Sequence, residues 1–259
     1  MSASRQSHDW LLLFLRVLDL VARPSPANIL QPFEAWEHRS RLRLRLRSLE
    51  RAQYLERVEG RSVRRPTAAG RATAWGGLDP AERWKRLWDG QWRIVIFDLP
   101  AREVSLRQQL ARWLHAQRLG YLQNSVWISP DPIDSQPSPV RRLKPNSEAF
   151  TVLTSRPVPP STDASLVEGA WDFAHINQRY GAWFEVADRG LGLAEASDLA
   201  SAKLKQWLRA EREAWLAAAT MDPFLPEQLL PAGYAGRKAW DRRNAVFAAL
   251  ARHVVGGGS

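Results

Sequence analysis

The pattern that most restricts this chain lies between Trp92 and Pro130, where the hydrophobic period changes twice. Trp92 to Leu99 is a short apolar run that Pro100 breaks. From Arg102 to Leu119 the apolar residues Leu106, Leu110, Trp113 and Leu114 recur at helical spacing. Gly120 then ends that helix before a second β-prone run that continues to Pro130. Strand, helix and strand in this order predict a βαβ-like core that begins only in mid-chain.

The residues before that core have a different grammar. His8 to Ala22 places Trp10, Phe14, Val17, Leu18 and Val21 on one helical face, and Pro24 stops it. Ser25-Pro26 supplies an N-cap and a first-turn proline for a short second helix that runs to about Phe33. The piece from His38 to Leu49 alternates leucine and arginine, which fits a strand, yet Leu42, Leu46 and Leu49 also share one helical stripe. Helix is the reading adopted, because the next segments read as a wing: Tyr54–Val58 and Arg61–Arg65 flank the turn Glu59-Gly60. Thr67-Ala68-Ala69-Gly70 matches the threonine-x-x-glycine ending usual after the last strand of winged-helix domains.

Charge follows the same division. Of the formal net charge of +10, most falls in residues 1–75, with 14 Lys and Arg against 7 Asp and Glu; the remainder has 23 against 20. Such asymmetry implies a polyanionic partner for the N-terminal part, nucleic acid before membrane. With Leu42, Leu46 and Leu49 inward, a 100° step puts Ser40, Arg43, Leu44 and Arg47 outward, with Arg41 and Arg45 on the flank and Arg39 just before them. That face suits a major groove, since an arginine fork contacts guanine O6 and N7 together while its neighbours pair with phosphates. Arg61, Arg64 and Arg65 on the wing add backbone or minor-groove contacts. A merely solvated basic face is the alternative.

Other classes of chemistry are poorly supplied. The chain of 259 residues has no cysteine and five scattered histidines, so no metal site, cofactor or thiol nucleophile is expected. No apolar run approaches the roughly 20 residues that span a bilayer. Trp10 to Ala22 is interrupted by Arg16 and Asp19 and lacks a cleavage site, so a cytoplasmic protein is expected. Gly256-Gly257-Gly258-Ser259 reads as an appended linker scar.

The expected organisation is a DNA-binding domain over 1–75, a junction with a tryptophan-rich helix Glu82–Trp88 over 76–90, a central domain over 91–190 and a helical C-terminal domain over 191–255. In the central domain Pro130 to Asn146 is an irregular loop, Phe150–Thr154 a third strand and Leu166–Tyr180 a second helix, which together read as a ferredoxin-like sheet. From about Leu193 the chain is two long helices broken between Asp222 and Gly236.

Two stretches carry a family resemblance. The first holds Asp79-Pro80, Arg83-Trp84, Trp88-Asp89-Gly90, Trp92-Arg93, Phe97-Asp98-Leu99-Pro100 and Ser125-Val126-Trp127-Ile128-Ser129-Pro130. The second holds Trp215, Asp222-Pro223, Leu225-Pro226, Leu229-Leu230-Pro231 and Gly236. Together they resemble the PaaX family of phenylacetate-pathway transcriptional repressors. The resemblance implies an α+β protein with an N-terminal winged helix-turn-helix, a central ferredoxin-like domain shared with small CRISPR adaptation proteins, and a helical C-terminal domain. It implies a homodimer that binds operator duplex DNA, has no enzymatic activity, and is released by an aryl-coenzyme A thioester. The N-terminal third departs from the pattern, being arginine-heavy and lacking the usual glycine in its turn.

Two further residue groups have competing readings. Trp84, Trp88 and Trp92 lie at i, i+4 and i+8, with Arg83, Arg86 and Arg93 nearby to hold a phosphate or carboxylate, which makes an effector site. A packed hinge explains the same residues and is preferred. Asp98 stands where the related CRISPR fold carries an aspartate, so a nucleic-acid enzyme or adaptation-complex component is the runner-up function. A lone carboxylate is thin for phosphodiester chemistry, and a turn or capping role is favoured. A regulatory module binding RNA or an acidic protein is the third reading.

Overall fold

The computed structural model describes residues 46–57, 64–74, 78–99, 102–133, 150–196 and 202–256. These fall into two compact units. One comprises Ala81–Asn177 and Met221–Tyr234; the other comprises the described residues up to Pro80, Gln178–Thr220 and the chain from Ala235. The grouping does not coincide with a linear boundary at residues 190 and 191.

The central unit is built on a four-stranded antiparallel sheet. Its strands are β3 (Trp92–Phe97), β4 (Gly120–Gln123), β5 (Val126–Ser129) and β6 (Phe150–Ser155), in the order β4-β5-β3-β6. The two strands in the other unit are β1 (Leu55–Arg57) and β2 (Arg64–Pro66). Between β3 and β4 runs helix α3 (Val104–Ala116), and β5 returns to fill the place between them, which is a split β-α-β arrangement. Pairing is continuous from Trp92↔Ser155 to Phe97↔Phe150 on one side of β3 and from Arg93↔Ser129 to Ile96↔Val126 on the other. Alternate residues Val95, Phe97, Trp127 and Phe150 meet Leu110 and Leu114 of α3 in the core.

Three local expectations are corrected. The run after Gly120 is two strands and not one: Asn124 takes a left-handed conformation (φ 46°), which turns the chain back at Asn124-Ser125. The helix expected over Leu166–Tyr180 is two helices, α4 (Asp163–Ala170) and α5 (Phe173–Ala196). Trp171 between them is extended (φ −133°, ψ 136°) and buried, its ring 6.2 Å from that of Trp92, and the Asp172 carboxylate then accepts from the His175 amide to restart the helix. The close approach of Trp171 and Ala170 also explains Gly120, because a Cβ there would come within 2.6–2.8 Å of both. Third, the tryptophan-rich helix is α2 (Pro80–Lys85), ending before Trp88, so Trp84, Trp88 and Trp92 lie on a helix, a turn and a strand.

The other unit holds the β1–β2 hairpin, a helical segment over 46–51, α1 (Ala68–Ala74), the part of α5 from Gln178, α6 (Ala202–Ala219) and α7 (Gly236–Gly256). The two expected C-terminal helices and their break are therefore present as α6, α7 and the segment between, which carries one 3-10 turn at Glu227–Leu229. Trp183, Trp207, Trp215 and Trp240 are buried, and Trp215 lies 5.7–5.9 Å from Tyr180, Trp183 and Trp240. Among them sits a buried ion pair, Arg243 to Glu211 at 2.6 Å. Trp183 donates to the same carboxylate at 3.0 Å, and the Arg243 guanidinium covers the Trp215 ring at 4.6 Å. Both charges are thus paired, hydrogen-bonded and covered by rings, which meets the conditions for burying them.

Candidate nucleic-acid interface

Leu49 is buried to 1% exposure while Arg47 and Ser48 beside it are exposed, as the inward leucine stripe predicts. Arg39, Ser40, Arg41, Arg43, Leu44, Arg45 and Arg61 lie outside the described residues. The helical segment passes through a tight turn, with Gln53 at φ 57° and the Tyr54 amide donating to Leu49 O at 2.9 Å, directly into β1. β1 pairs antiparallel with β2 in the register Leu55↔Pro66, Glu56↔Arg65 and Arg57↔Arg64. The backbones of Arg64 and Arg65 therefore occupy strand positions of this antiparallel pair. The Arg57 guanidinium meets Glu50 at 3.3 Å.

The threonine-x-x-glycine segment is a clasp that closes this hairpin onto the helix end. The Thr67 amide donates to Tyr54 O at 3.0 Å and its hydroxyl donates to Gln53 O at 2.7 Å. The same hydroxyl oxygen accepts from the Gly70 amide at 3.0 Å, capping α1. Gly70 is obligatory for this closure, since a Cβ would fall 2.1 Å from Tyr54 O. An exposed arginine on a helix end fixed to a two-stranded hairpin is an arrangement able to lay side chains along a nucleic-acid groove and its backbone.

The residues expected to bind an effector are placed differently from one another. Trp84 is buried edge-on against Phe224 and Tyr234, at 5.8 and 6.2 Å. Trp92 is buried beside Trp88 and donates to Asp163 at 2.8 Å, while Trp88 donates to Gln91 O at 3.0 Å. Arg93 is held by Asp89 at 2.6 Å and donates to Pro130 O at 3.3 Å. Arg83 and Arg86 both bind Asp131, Arg86 with two donors at 2.6 and 3.0 Å. Arg86 also donates to Phe224 O. The arginine heads are thus engaged by carboxylates of the same unit.

Around Asp131 the distant motif strings converge. Asp222 accepts from the Phe224 amide at 2.7 Å and from the Tyr234 hydroxyl, and Arg118 lies over the Phe224 ring at 4.9 Å while donating to Asp222 O. Burial pushes the Asp131 carboxyl up, but the Arg86 hydrogen bond and the charges of Arg83 and Arg86 overcome this and hold it below its ordinary value. For Arg86 burial is the larger effect and lowers its value, yet a guanidinium with that much reserve remains charged. Sequence reasoning did not single out Asp131, Arg118 or Tyr234, and it met Asp222 only as part of the Asp222-Pro223 string that kept motif company with Arg83-Trp84. Asp98 is exposed after β3. Among the described residues no group of three or more His, Cys, Asp or Glu side chains is placed to hold a metal ion, and no helix is long and apolar enough to cross a membrane.

Residues 85–167 match the PaaX protein central Cas2-like domain. The chain carries the central domain of the PaaX family. The matched stretch runs from the last residue of α2 through the whole sheet into α4, so the PaaX domain supplies Arg86 and Asp131, while Asp222 and Phe224 come from outside it. No curated protein matches the chain. A solved structure described as uncharacterized protein Rv0674 from Mycobacterium tuberculosis is similar over 95% of this chain and 96% of that one, with 23% identity and a TM-score of 0.54. That likeness concerns the fold.

Proposed function

We propose that the protein is a PaaX-type transcriptional repressor that binds operator duplex DNA through its N-terminal helix and hairpin. The observation that carries this reading is the helix end, hairpin and Thr67–Gly70 clasp preceding a PaaX central domain on one chain. Arg47 stands exposed on that helix end, in the most basic third of the sequence. The reading is of a cytoplasmic DNA-binding homodimer without enzymatic activity, because a two-fold protein matched to a palindrome doubles the contacts of one short half-site. A small anionic effector, an aryl-coenzyme A thioester on the family pattern, releases it. An effector seated among Trp84, Trp88, Trp92, Arg83 and Arg93 must displace Asp131 or Asp89 from an arginine, which gives ligand entry a structural consequence.

The test is a footprint on the DNA upstream of the protein's own gene. Protection that is lost in the Arg43→Ala, Arg47→Ala double variant is expected; identical protection by the variant removes the assignment. Incubation with magnesium or manganese should leave DNA and RNA intact, and cleavage abolished by Asp98→Asn would move the function to the central domain.

A further inference from the structure

The outward side of α3 has no role in the reading above, and its composition is unusual. From Val104 to Pro130 the chain has no Asp or Glu, while Arg107, Arg112, Arg118 and His115 fall within it. Gln108, Arg112 and His115 are exposed and follow one another at steps of four and three, so they form one stripe along the helix. Arg112 bonds only the Gln108 carbonyl of its own helix, at 3.3 Å, and has no carboxylate partner among the described residues. This sets it apart from Arg83, Arg86 and Arg93 of the same unit, each held by an aspartate.

The end of the stripe is fixed in position. The His115 ring stands 4.6 Å from Trp127 at 86°, and Tyr121 at the start of β4 stands 5.2 Å from it at 65°. Trp127 is 3% exposed and Tyr121 45%, so two outward rings rest on one buried ring. A helix that only has to be wet mixes both signs of charge along its outer face; this one offers an amide, a guanidinium, an imidazole and a phenol, with no carboxylate to repel an anion. Arginine, glutamine and tyrosine are among the side chains that contact phosphate oxygens of nucleic acid, and a stretch that brings no carboxylate of its own between residues 104 and 130 leaves the positive potential of Arg112 to them.

We propose that the α3 stripe and Tyr121 form a second contact surface for the phosphate backbone of duplex DNA, separate from the N-terminal hairpin. The inference rests on the duplex-binding reading above. The surface adds affinity without sequence preference.

The experiment is fluorescence anisotropy of the full chain on two labelled duplexes, the upstream region and a scrambled version, between about 50 and 200 mM salt. Arg112→Gln should lower the slope of log affinity against log salt by about 1 on both duplexes, leaving their affinity ratio unchanged. Lys85→Gln, an exposed charge lost from α2, should leave the slope as in the unaltered protein. An Arg112→Gln slope equal to that of the unaltered protein, or an equal fall in Lys85→Gln, overturns the second surface and leaves the hairpin reading standing. Failure of the unaltered protein to bind either duplex overturns both.

Discussion

The arginines of the Asp131 corner and the arginine at the end of the N-terminal helix share a side chain and differ in everything around it. Arg83 and Arg86 spend their charge inside the fold, on Asp131 and on the carbonyl of Phe224. Arg47 is exposed beside a buried leucine. The difference separates arginines that hold the structure from those available to an anion, and arginine content alone does not reveal it. The buried Arg243 is the limiting case of the first kind, with 3% of its side chain exposed against 17% for Arg86.

Substitutions graded by burial sharpen the contrast. The largest effect is expected for Arg243→Ala, which leaves the Glu211 carboxylate buried without its cation and uncovers Trp215 and Phe247. Removing one partner of such a pair costs about 3–5 kcal/mol, read from urea unfolding. A loss below 1 kcal/mol would mean that the helical bundle tolerates an orphaned charge and the grading by burial is wrong. Gly70→Ala comes next, at about 1–3 kcal/mol for forcing a Cβ against the Tyr54 carbonyl; calorimetry measures it, and an unshifted transition would show that the clasp is not closed in solution.

Arg86→Ala is expected to cost about 1–3 kcal/mol at neutral pH, through the charged hydrogen bonds to Asp131 and the one to Phe224 O. The folded value of the Asp131 carboxyl lies below its unfolded one. Its contribution is therefore full above the unfolded value and disappears as pH falls through the folded one. The deficit of the variant should narrow below about pH 4. Unfolding curves at pH 7 and pH 3 with the same deficit would assign the loss to the Phe224 contact alone. The smallest effect belongs to Arg242→Ala, whose ion pair with Asp188 is about half exposed on both sides. Roughly 0.2–1 kcal/mol is expected there, and a change as large as that of Arg86→Ala would erase the distinction between the two settings.

What the sequence made legible was local. The strand, helix and strand after Trp92 follow from hydrophobic period, and the inward Leu49 with outward Arg47 follows from the same geometry. Asn124 was missed because β-prone residues continue on both sides of it, and only its left-handed backbone makes two strands of one run. The break at Trp171 was missed because the apolar stripe of Leu166–Tyr180 runs through it; what stops α4 is packing against Trp92 and Gly120, far away in the chain. The spacing of Trp84, Trp88 and Trp92 imitated a helix that ends at Lys85. The Asp131 corner joins residues 83, 86, 131 and 224, whose mutual attraction leaves no periodic trace.

The central claim, that carboxylate-held arginines maintain the fold and the exposed helix-end arginine binds DNA, is tested most directly by measuring melting temperature and duplex affinity side by side on Arg47→Ala and Arg86→Ala. Arg47→Ala should melt with the unaltered protein and bind the upstream duplex more weakly, with its salt slope lowered by about 1. Arg86→Ala should melt lower, by roughly 2–4 °C for each kcal/mol lost, and keep its affinity at temperatures where it is folded. Undiminished affinity and slope in Arg47→Ala, with binding lost in a folded Arg86→Ala, would contradict the account.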